Sequence, residues 1–302
     1  MISDRPMLGI SLMIGFCVVA PLGDAIAKVL GDTIPLTELV TVRFAAQAAL
    51  LLPIIWATGR TLAMTPRVMR LTVIRTVLHI LGIGGMFTAL RYLPLADAVA
   101  IAFVLPFIML LLGRVFLDET VGPRRLSACV VGFAGTLLVI QPSFAEVGWP
   151  ALLPLFVALV FALYILVSRT IAKECDPLSL QAVSGLVATP ILFAAMLAGW
   201  ASGAEMFAIR APTTQETFLL AAIGVIGTLA HLLMTWSLRF APSATLAPIQ
   251  YLEIPFATLF GWLIFGDFPD GLALVGILIT VAAGLYIVFR ERAAAEPVPP
   301  ET

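Results

Sequence analysis

The feature that most limits what this chain can become is a series of ten apolar segments separated by short turns. They fall at roughly residues 8–30, 36–58, 70–90, 96–117, 123–140, 149–171, 177–200, 218–238, 243–265 and 269–289. A helix needs about 20 mostly apolar residues to cross a bilayer, and in hydrocarbon only helices and closed barrels satisfy their own backbone. Connections such as Gly31-Asp-Thr, Gly148-Trp-Pro150, Asp176-Pro177 and Phe268-Pro-Asp-Gly271 carry helix-stopping residues, and none is long enough for a soluble domain. With 61% of residues hydrophobic and 12% charged, the chain sits far from a soluble domain, about a quarter of which is charged. The expected fold is an all-α integral membrane protein with ten transmembrane helices. The first segment is read as a retained helix rather than a cleaved signal, because Asp4 and Arg5 precede it and no small-x-small site ends it. The polar, Pro-rich stretch at 291–302 is expected to be a disordered cytoplasmic tail.

The chain also repeats itself. Arg91-Tyr-Leu-Pro94 returns as Arg239-Phe-Ala-Pro242, and Glu119 returns as Asp267. Pro106 and Pro255, and Gly135 and Gly284, match with one residue of slippage. Apolar helices resemble one another by chance, but punctuation residues in the same order mark a duplication. Two units follow, at 8–142 and 149–290, with five helices each.

Five is an odd number, so the second unit enters the membrane from the opposite face. The basic residues agree. Loops on the N-terminal side hold eleven Lys and Arg (Arg5, Arg60, Arg67, Arg70, Arg124, Arg125, Arg169, Lys173, Arg239, Arg290, Arg292) against three on the other side (Lys28, Arg91, Arg210). The excess marks the cytoplasmic side, which puts both termini in the cytoplasm of a cell whose inner membrane the chain spans. Inverted repeats around a midplane site are a common build of alternating-access transporters.

These residues resemble the drug/metabolite transporters with two EamA-type repeats. The resemblance rests on Pro35…Arg43-Phe44, Arg91-Tyr-Leu-Pro-Leu-Ala-Asp97, Pro106…Asp118-Glu119, Gly132-Phe-Ala-Gly135 and Glu253-Ile-Pro255, and it covers about residues 8–290. Two departures stand out: Asp267 replaces the usual Glu, and Asp97 has only Thr245 opposite it. The resemblance implies a cavity lined mainly by helices 1, 3, 4, 6, 8 and 9. It also implies a substrate among amino acids, riboflavin, S-adenosylmethionine, nucleotide sugars and similar metabolites.

Polar groups inside the spans are the candidate site, since a charge at mid-membrane costs about 2.5–3.5 kcal/mol on insertion scales and needs a partner or a task. Glu253 lies near the centre of the ninth segment, with Gln250 one turn earlier and Tyr251 beside it. It is read as a cavity carboxyl that binds an amine or carries a proton, against a structural group bonded to backbone that Pro255 loosens. His79 is the second proton-coupling candidate, and Arg75 is a candidate for gripping a substrate carboxylate. Their bland readings are a helix-to-helix hydrogen bond for His79 and a snorkelling Arg75. Tyr164, His231 and Trp236 are candidates for aromatic contact with substrate. Asp24, Lys28 and Arg43 read as a structural ion pair, Asp24 and Lys28 being four apart on one helix face. Pro106 and Pro255 are expected to kink equivalent helices.

The three cysteines, Cys17, Cys129 and Cys175, show neither CxxC nor Cys/His spacing, so no metal and no cofactor is expected. The net charge of −1 gives no footprint for nucleic acid. No Gly-x-x-x-x-Gly-Lys-[Ser/Thr], His-Glu-x-x-His or Gly-x-Ser-x-Gly motif is present, which argues against ATP coupling and against an enzyme. The expectation is a secondary transporter of a small molecule, with the lipid bilayer as its other partner and a monomer permitted. The first substrate choice is amino-acid export; uptake of riboflavin or S-adenosylmethionine is the alternative, and a non-transporting scaffold is the rival class.

Overall fold

The computed structural model describes residues 5–116, 122–269 and 271–295. The helices are α1 (Pro6–Gly31), α2 (Leu36–Ala57), α3 (Pro66–Ala89), α4 (Leu95–Ala102), α5 (Leu105–Phe116), α6 (Pro123–Val147), α7 (Leu153–Ile171), α8 (Pro177–Trp200), α9 (Thr214–Phe240), α10 (Ser243–Leu246), α11 (Glu253–Phe265) and α12 (Gly271–Ala295). They form ten passages, with α4 and α5 making the fourth and α10, a 3₁₀ turn over Ala247–Leu252, and α11 making the ninth. Seven of the passages are long and apolar enough to cross a bilayer outright, and shorter apolar helices supply the other three. The chain is therefore a multi-pass, all-α membrane protein. Large apolar side chains such as Leu159, Phe193, Leu229 and Leu278 lie exposed on the helix surfaces, where lipid rather than water is the solvent.

Local signals explain where several helices start. Thr65 accepts a bond from the Val68 amide at 3.3 Å ahead of Pro66. Asp176 does the same for the Ser179 amide at 3.2 Å ahead of Pro177. Thr213 and Glu216 form a reciprocal capping box on α9. At the other end of the chain, α12 stays helical through Ala295, so 291–295 departs from the expected disorder. The Glu-Arg-Ala-Ala-Ala run consists of strong helix formers. Residues 296–302, Asp118 and Glu119 lie outside the described residues.

The packing follows the inverted repeat. α1 packs on α9 and α3 on α7, two contacts that exchange when the halves are swapped. α2 packs on α8, α6 on α12 and α4 on α11, contacts that each map onto themselves. Glycines allow the close approaches that replace a hydrophobic drive in lipid. A Cβ at Gly185 of α8 would sit 2.9 Å from the Ala48 amide of α2, and one at Gly135 of α6 would sit 2.6 Å from the Gly276 carbonyl of α12.

The swap also holds for a polar clamp. Lys28, near the end of α1, donates to the Leu93 and Leu90 carbonyls at 2.6 and 3.3 Å, where α3 ends. Arg169, near the end of α7, donates to the Leu238 carbonyl where α9 ends. Each half thus ties its first passage to its third through a cation on the orphan carbonyls of a helix C-terminus.

The fourth and ninth passages do more than kink. Proline lacks an amide hydrogen and its ring clashes with the carbonyl four residues back. α4 stops at Ala102, four residues before Pro106, and the chain resumes as α5 at Leu105. Pro255 lies in the first turn of α11, directly after the 3₁₀ turn. The Pro106 side chain lies outside the described residues. Both breaks face the middle of the molecule.

Candidate functional site

A cavity of about 80 Å³ lies between those two breaks. Its walls come from α1 (Phe16, Ala20, Asp24), α3 (Ile83, Met86), the α4–α5 break (Val99, Ala102, Phe103, Leu105), α7 (Val157, Ala158, Phe161), α9 (His231, Met234), and Gln250 with Glu253 at the second break. These are passages 1, 3, 4, 6, 8 and 9, the six that the resemblance implies. A pocket for a drug-sized molecule holds about 300–1,000 Å³, so this cavity is closed down and its walls must part before a metabolite enters.

Most of the lining is apolar or aromatic. The exceptions are Asp24, His231, Gln250 and Glu253. Glu253 opens α11, where the positive end of the helix dipole favours a carboxyl. The ion pairs among the described residues are Arg60–Asp176 and Arg67–Glu174, and neither Asp24 nor Glu253 takes a hydrogen bond. Gln250 is 2% exposed, and its side-chain oxygen is buried without a partner. The thiol of Cys17 lies 3.6 and 3.9 Å from the Ile249 and Gln250 carbonyls that the break leaves free of a regular helix.

Behind His231 lies a buried polar network that sequence reasoning largely missed. Its hub is Arg75, fully buried in α3. Arg75 donates to Ser168 and Ser184 Oγ at 2.7 Å each, to Tyr164 Oη at 2.5 Å and weakly to Thr235 Oγ1 at 3.5 Å. Its guanidinium carbon stands 4.6 Å from the Tyr164 ring centre. Those oxygens and that ring replace the water and counter-ion such a group otherwise needs at this depth. Gln181 binds the His231 carbonyl at 3.0 Å and Thr235 Oγ1 at 2.7 Å, and Gln47 binds the Gln181 carbonyl at 2.7 Å.

Donor logic then orients a chain. Arginine only donates, so Tyr164 accepts from Arg75 and its own proton is free to turn to His231 Nδ1, 3.4 Å away. A neutral His231 that accepts at Nδ1 carries its proton on Nε2, which faces His79 Nε2 at 3.1 Å. His79 then accepts at Nε2 and carries its own proton on Nδ1, which is buried without a partner. The order is Arg75, Tyr164, His231, His79. His231 alone of the four lines the cavity.

The sequence candidates therefore divide. His231, Gln250 and Glu253 line the cavity, with His79, Tyr164 and Arg75 in a shell behind it. Arg75 neither snorkels nor faces a substrate, because hydroxyls on α7 and α8 fix its guanidinium. Tyr251 turns away: it is fully buried, its ring fills the place of a Gly132 side chain, and it meets Phe103 at 5.5 Å between ring centres. Trp236 packs on a separate apolar cluster of Leu51, Ile55, Ala182 and Leu232. Asp24, Lys28 and Arg43 do not form the expected ion pair. The long Lys28 chain reaches the α3 carbonyls, Arg43 lies on Gly227 and over the Phe44 ring, and Asp24 is left to the cavity. The contact between the histidines had a sequence signal, since the chain's two histidines lie on equivalent passages, the third and the eighth.

The sequence profile of the EamA-like transporter family matches the chain twice, over residues 7–141 and 148–290. A riboflavin transporter of Rhizobium johnstonii is 32% identical over 217 residues, covering 72% of this chain and 69% of its own length. An S-adenosylmethionine uptake transporter of Rickettsia bellii is 25% identical, covering 95% of each chain. A pseudopaline exporter of Pseudomonas aeruginosa is 27% identical, covering 86% of this chain and 88% of its own. A solved crystal structure aligns over 96% of this chain and 98% of its own with a TM-score of 0.70 at 17% identity, a likeness of fold alone.

Proposed function

This chain belongs to the EamA-like transporter family, and from that premise we propose that it is a secondary transporter that carries a ring-bearing organic metabolite through the central cavity. Two inverted halves rock about that cavity, opening it to one face and then to the other. The bilayer is the inner membrane, with both termini in the cytoplasm. Protonation of Glu253, backed by the His231–His79 pair, supplies the coupling.

The observation that carries the substrate reading is the wall itself: three phenylalanines, two methionines, two carboxyls and an unpaired amide oxygen, with no Lys or Arg among the lining residues. An amino acid needs a partner for its carboxylate, and Arg75, the cation suited to that task, lines no part of the cavity and is held behind it by three short bonds to Ser168, Ser184 and Tyr164. This weakens amino-acid export, the first choice from sequence. The relative named for riboflavin, a ring compound without a carboxylate, points the same way; S-adenosylmethionine, named for another relative, is also ring-bearing but carries an amino-acid group of its own.

Counterflow in proteoliposomes tests the reading. Purified protein is preloaded with unlabelled riboflavin, S-adenosylmethionine or an amino-acid mixture, and the matching label is added outside. Accumulation of the riboflavin or S-adenosylmethionine label above empty liposomes is expected. Accumulation of an amino acid and of neither ring compound would refute it.

A further inference from the structure

We infer that Asp24, Glu253 and the amide oxygen of Gln250 form a binding site for a positively charged group on the carried metabolite, and that the carboxyls release protons as this cation enters. The inference rests on the transport reading and narrows the substrate to organic cations, such as a sulfonium or a protonated amine.

Three elements contribute: α1 brings Asp24, the 3₁₀ turn brings Gln250 and α11 brings Glu253, and all three line the same cavity. A carboxyl that is protonated in the empty cavity becomes, on releasing its proton, a group that only accepts, as the amide oxygen already does. Neither carboxyl has a hydrogen bond or an ion pair, and the Gln250 oxygen is buried with its bonding capacity unused. A buried polar group without a partner is costly; a protonated amine supplies both charge and N–H donors to these acceptors, whereas a sulfonium supplies charge alone.

The surrounding charges are few. Arg43 on α2 acts on Asp24 from beyond ion-pair distance, and Cys17 on α1 neighbours Glu253. Lys28 is spent on backbone carbonyls. His231 on α9 shares the wall, with His79 on α3 behind it, while the α4–α5 break and α7 contribute no ionisable side chain to the wall.

The repeat shows that these carboxyls are not inherited scaffold. In the register that aligns Lys28 with Arg169, Asp24 aligns with Ile165; in the registers that align Pro94 with Pro242 and Pro106 with Pro255, Glu253 aligns with Leu105 and Val104. Each half has aliphatic residues where the other carries its acid, so the fold does not need a carboxyl at either place.

The test uses the full chain, with labelled S-adenosylmethionine as cationic probe and labelled riboflavin as neutral one. In weakly buffered detergent solution, adding S-adenosylmethionine should release protons, read with a pH indicator, and riboflavin should release none. In proteoliposomes, Asp24→Asn and Glu253→Gln should each weaken S-adenosylmethionine exchange about tenfold to a hundredfold, the loss expected for one charge-assisted bond. Glu253→Asp should restore much of it. Wild-type elution and melting profiles establish that the variants are folded; if either variant fails that check, Gln250→Ala with proton release from the unmodified protein decides. Exchange of riboflavin without S-adenosylmethionine would overturn the cation site and leave the transport reading standing. Exchange of S-adenosylmethionine without proton release would also overturn the inference. Failure of folded protein to exchange either probe would instead bring down the transport reading, and this inference with it.

Discussion

Tyr164→Phe removes one oxygen from the middle of the buried network and almost nothing else. The ring keeps its place against His79, whose centre is 4.7 Å away, and under the Arg75 guanidinium. Two contacts go: the 2.5 Å bond from Arg75 and the 3.4 Å bond to His231. The first has a cationic donor, and such bonds contribute about 1.5–3 kcal/mol; the second is long and adds little. Thr235, at 3.5 Å, is too far to compensate fully. Membrane hydrogen bonds average nearer 0.6 kcal/mol because the unfolded chain also finds partners, so a loss of about 1.5–2 kcal/mol is expected. Reversible unfolding in mixed micelles with added SDS measures it. A second readout isolates the chain of tautomers. With two histidines in the sequence, ¹⁵N-histidine labelling gives four ring-nitrogen signals. They should report His231 protonated on Nε2 and His79 on Nδ1, and the substitution should remove the preference at His231. A loss under about 0.5 kcal/mol with unchanged tautomers would refute the claim that Tyr164 bridges Arg75 to the histidines.

Two more expectations concern the faces of the molecule. Arg60–Asp176 and Arg67–Glu174 join opposite halves on the face that holds the termini, so Arg67→Glu should raise thiol labelling of a cysteine placed at Ala102, from that face, roughly twofold to fivefold as for an exposed pair. The native cysteines are replaced beforehand, and the swap with Glu174→Arg should restore the slow rate; failure to restore it would show that the pair does not latch the halves. A reporter that matures only in the cytoplasm should fluoresce when fused after Thr302 and stay dark when inserted at Ser202-Gly203. The reverse pattern would overturn the orientation read from Lys and Arg.

The sequence made the helices legible because lipid leaves so few choices. Ten apolar segments and their Pro and Gly stops fall within a few residues of the observed ends for most passages. The largest boundary misses are α6 running on to Val147 and α12 to Ala295; the second comes from a Glu-Arg-Ala-Ala-Ala run that is polar enough to look like loop yet forms helix well, whereas Pro142 made the α6 extension unreadable from propensity. The site was harder to read. Spacing placed Asp24 and Lys28 on one helix face but could not say that the flexible amine would reach across to the α3 carbonyls. Arg75 looked like a ligand or a snorkelling group because its true partners, Ser168, Ser184 and Thr235, are small hydroxyls on three other passages, and no local pattern links them. Tyr251 and Trp236 show the same gap: hydrophobic periodicity shows that a ring is buried, not which side of a broken helix it fills.

A symmetric frame with an asymmetric lining accounts for both the motion and the selectivity of such a carrier. The swap of halves preserves the α1–α9 and α3–α7 contacts and the two cation clamps, all of which hold the packing together. It fails at the cavity, where Asp24 faces the place of Ile165 and Gln250 the place of Ala102. Packing that is equivalent under inversion gives the two open states similar energies, so that neither traps the cargo. Chemistry that is not equivalent gives the one cavity both carboxyls and aromatic rings. The histidines join the two regimes: they lie on equivalent helices, meet next to the axis that exchanges the halves, and are linked by hydrogen bonds to the buried Arg75. A change of charge at His231 therefore reaches α3, α7, α8 and α9 through one hydrogen-bonded chain, and these are helices that the proposed rocking would move.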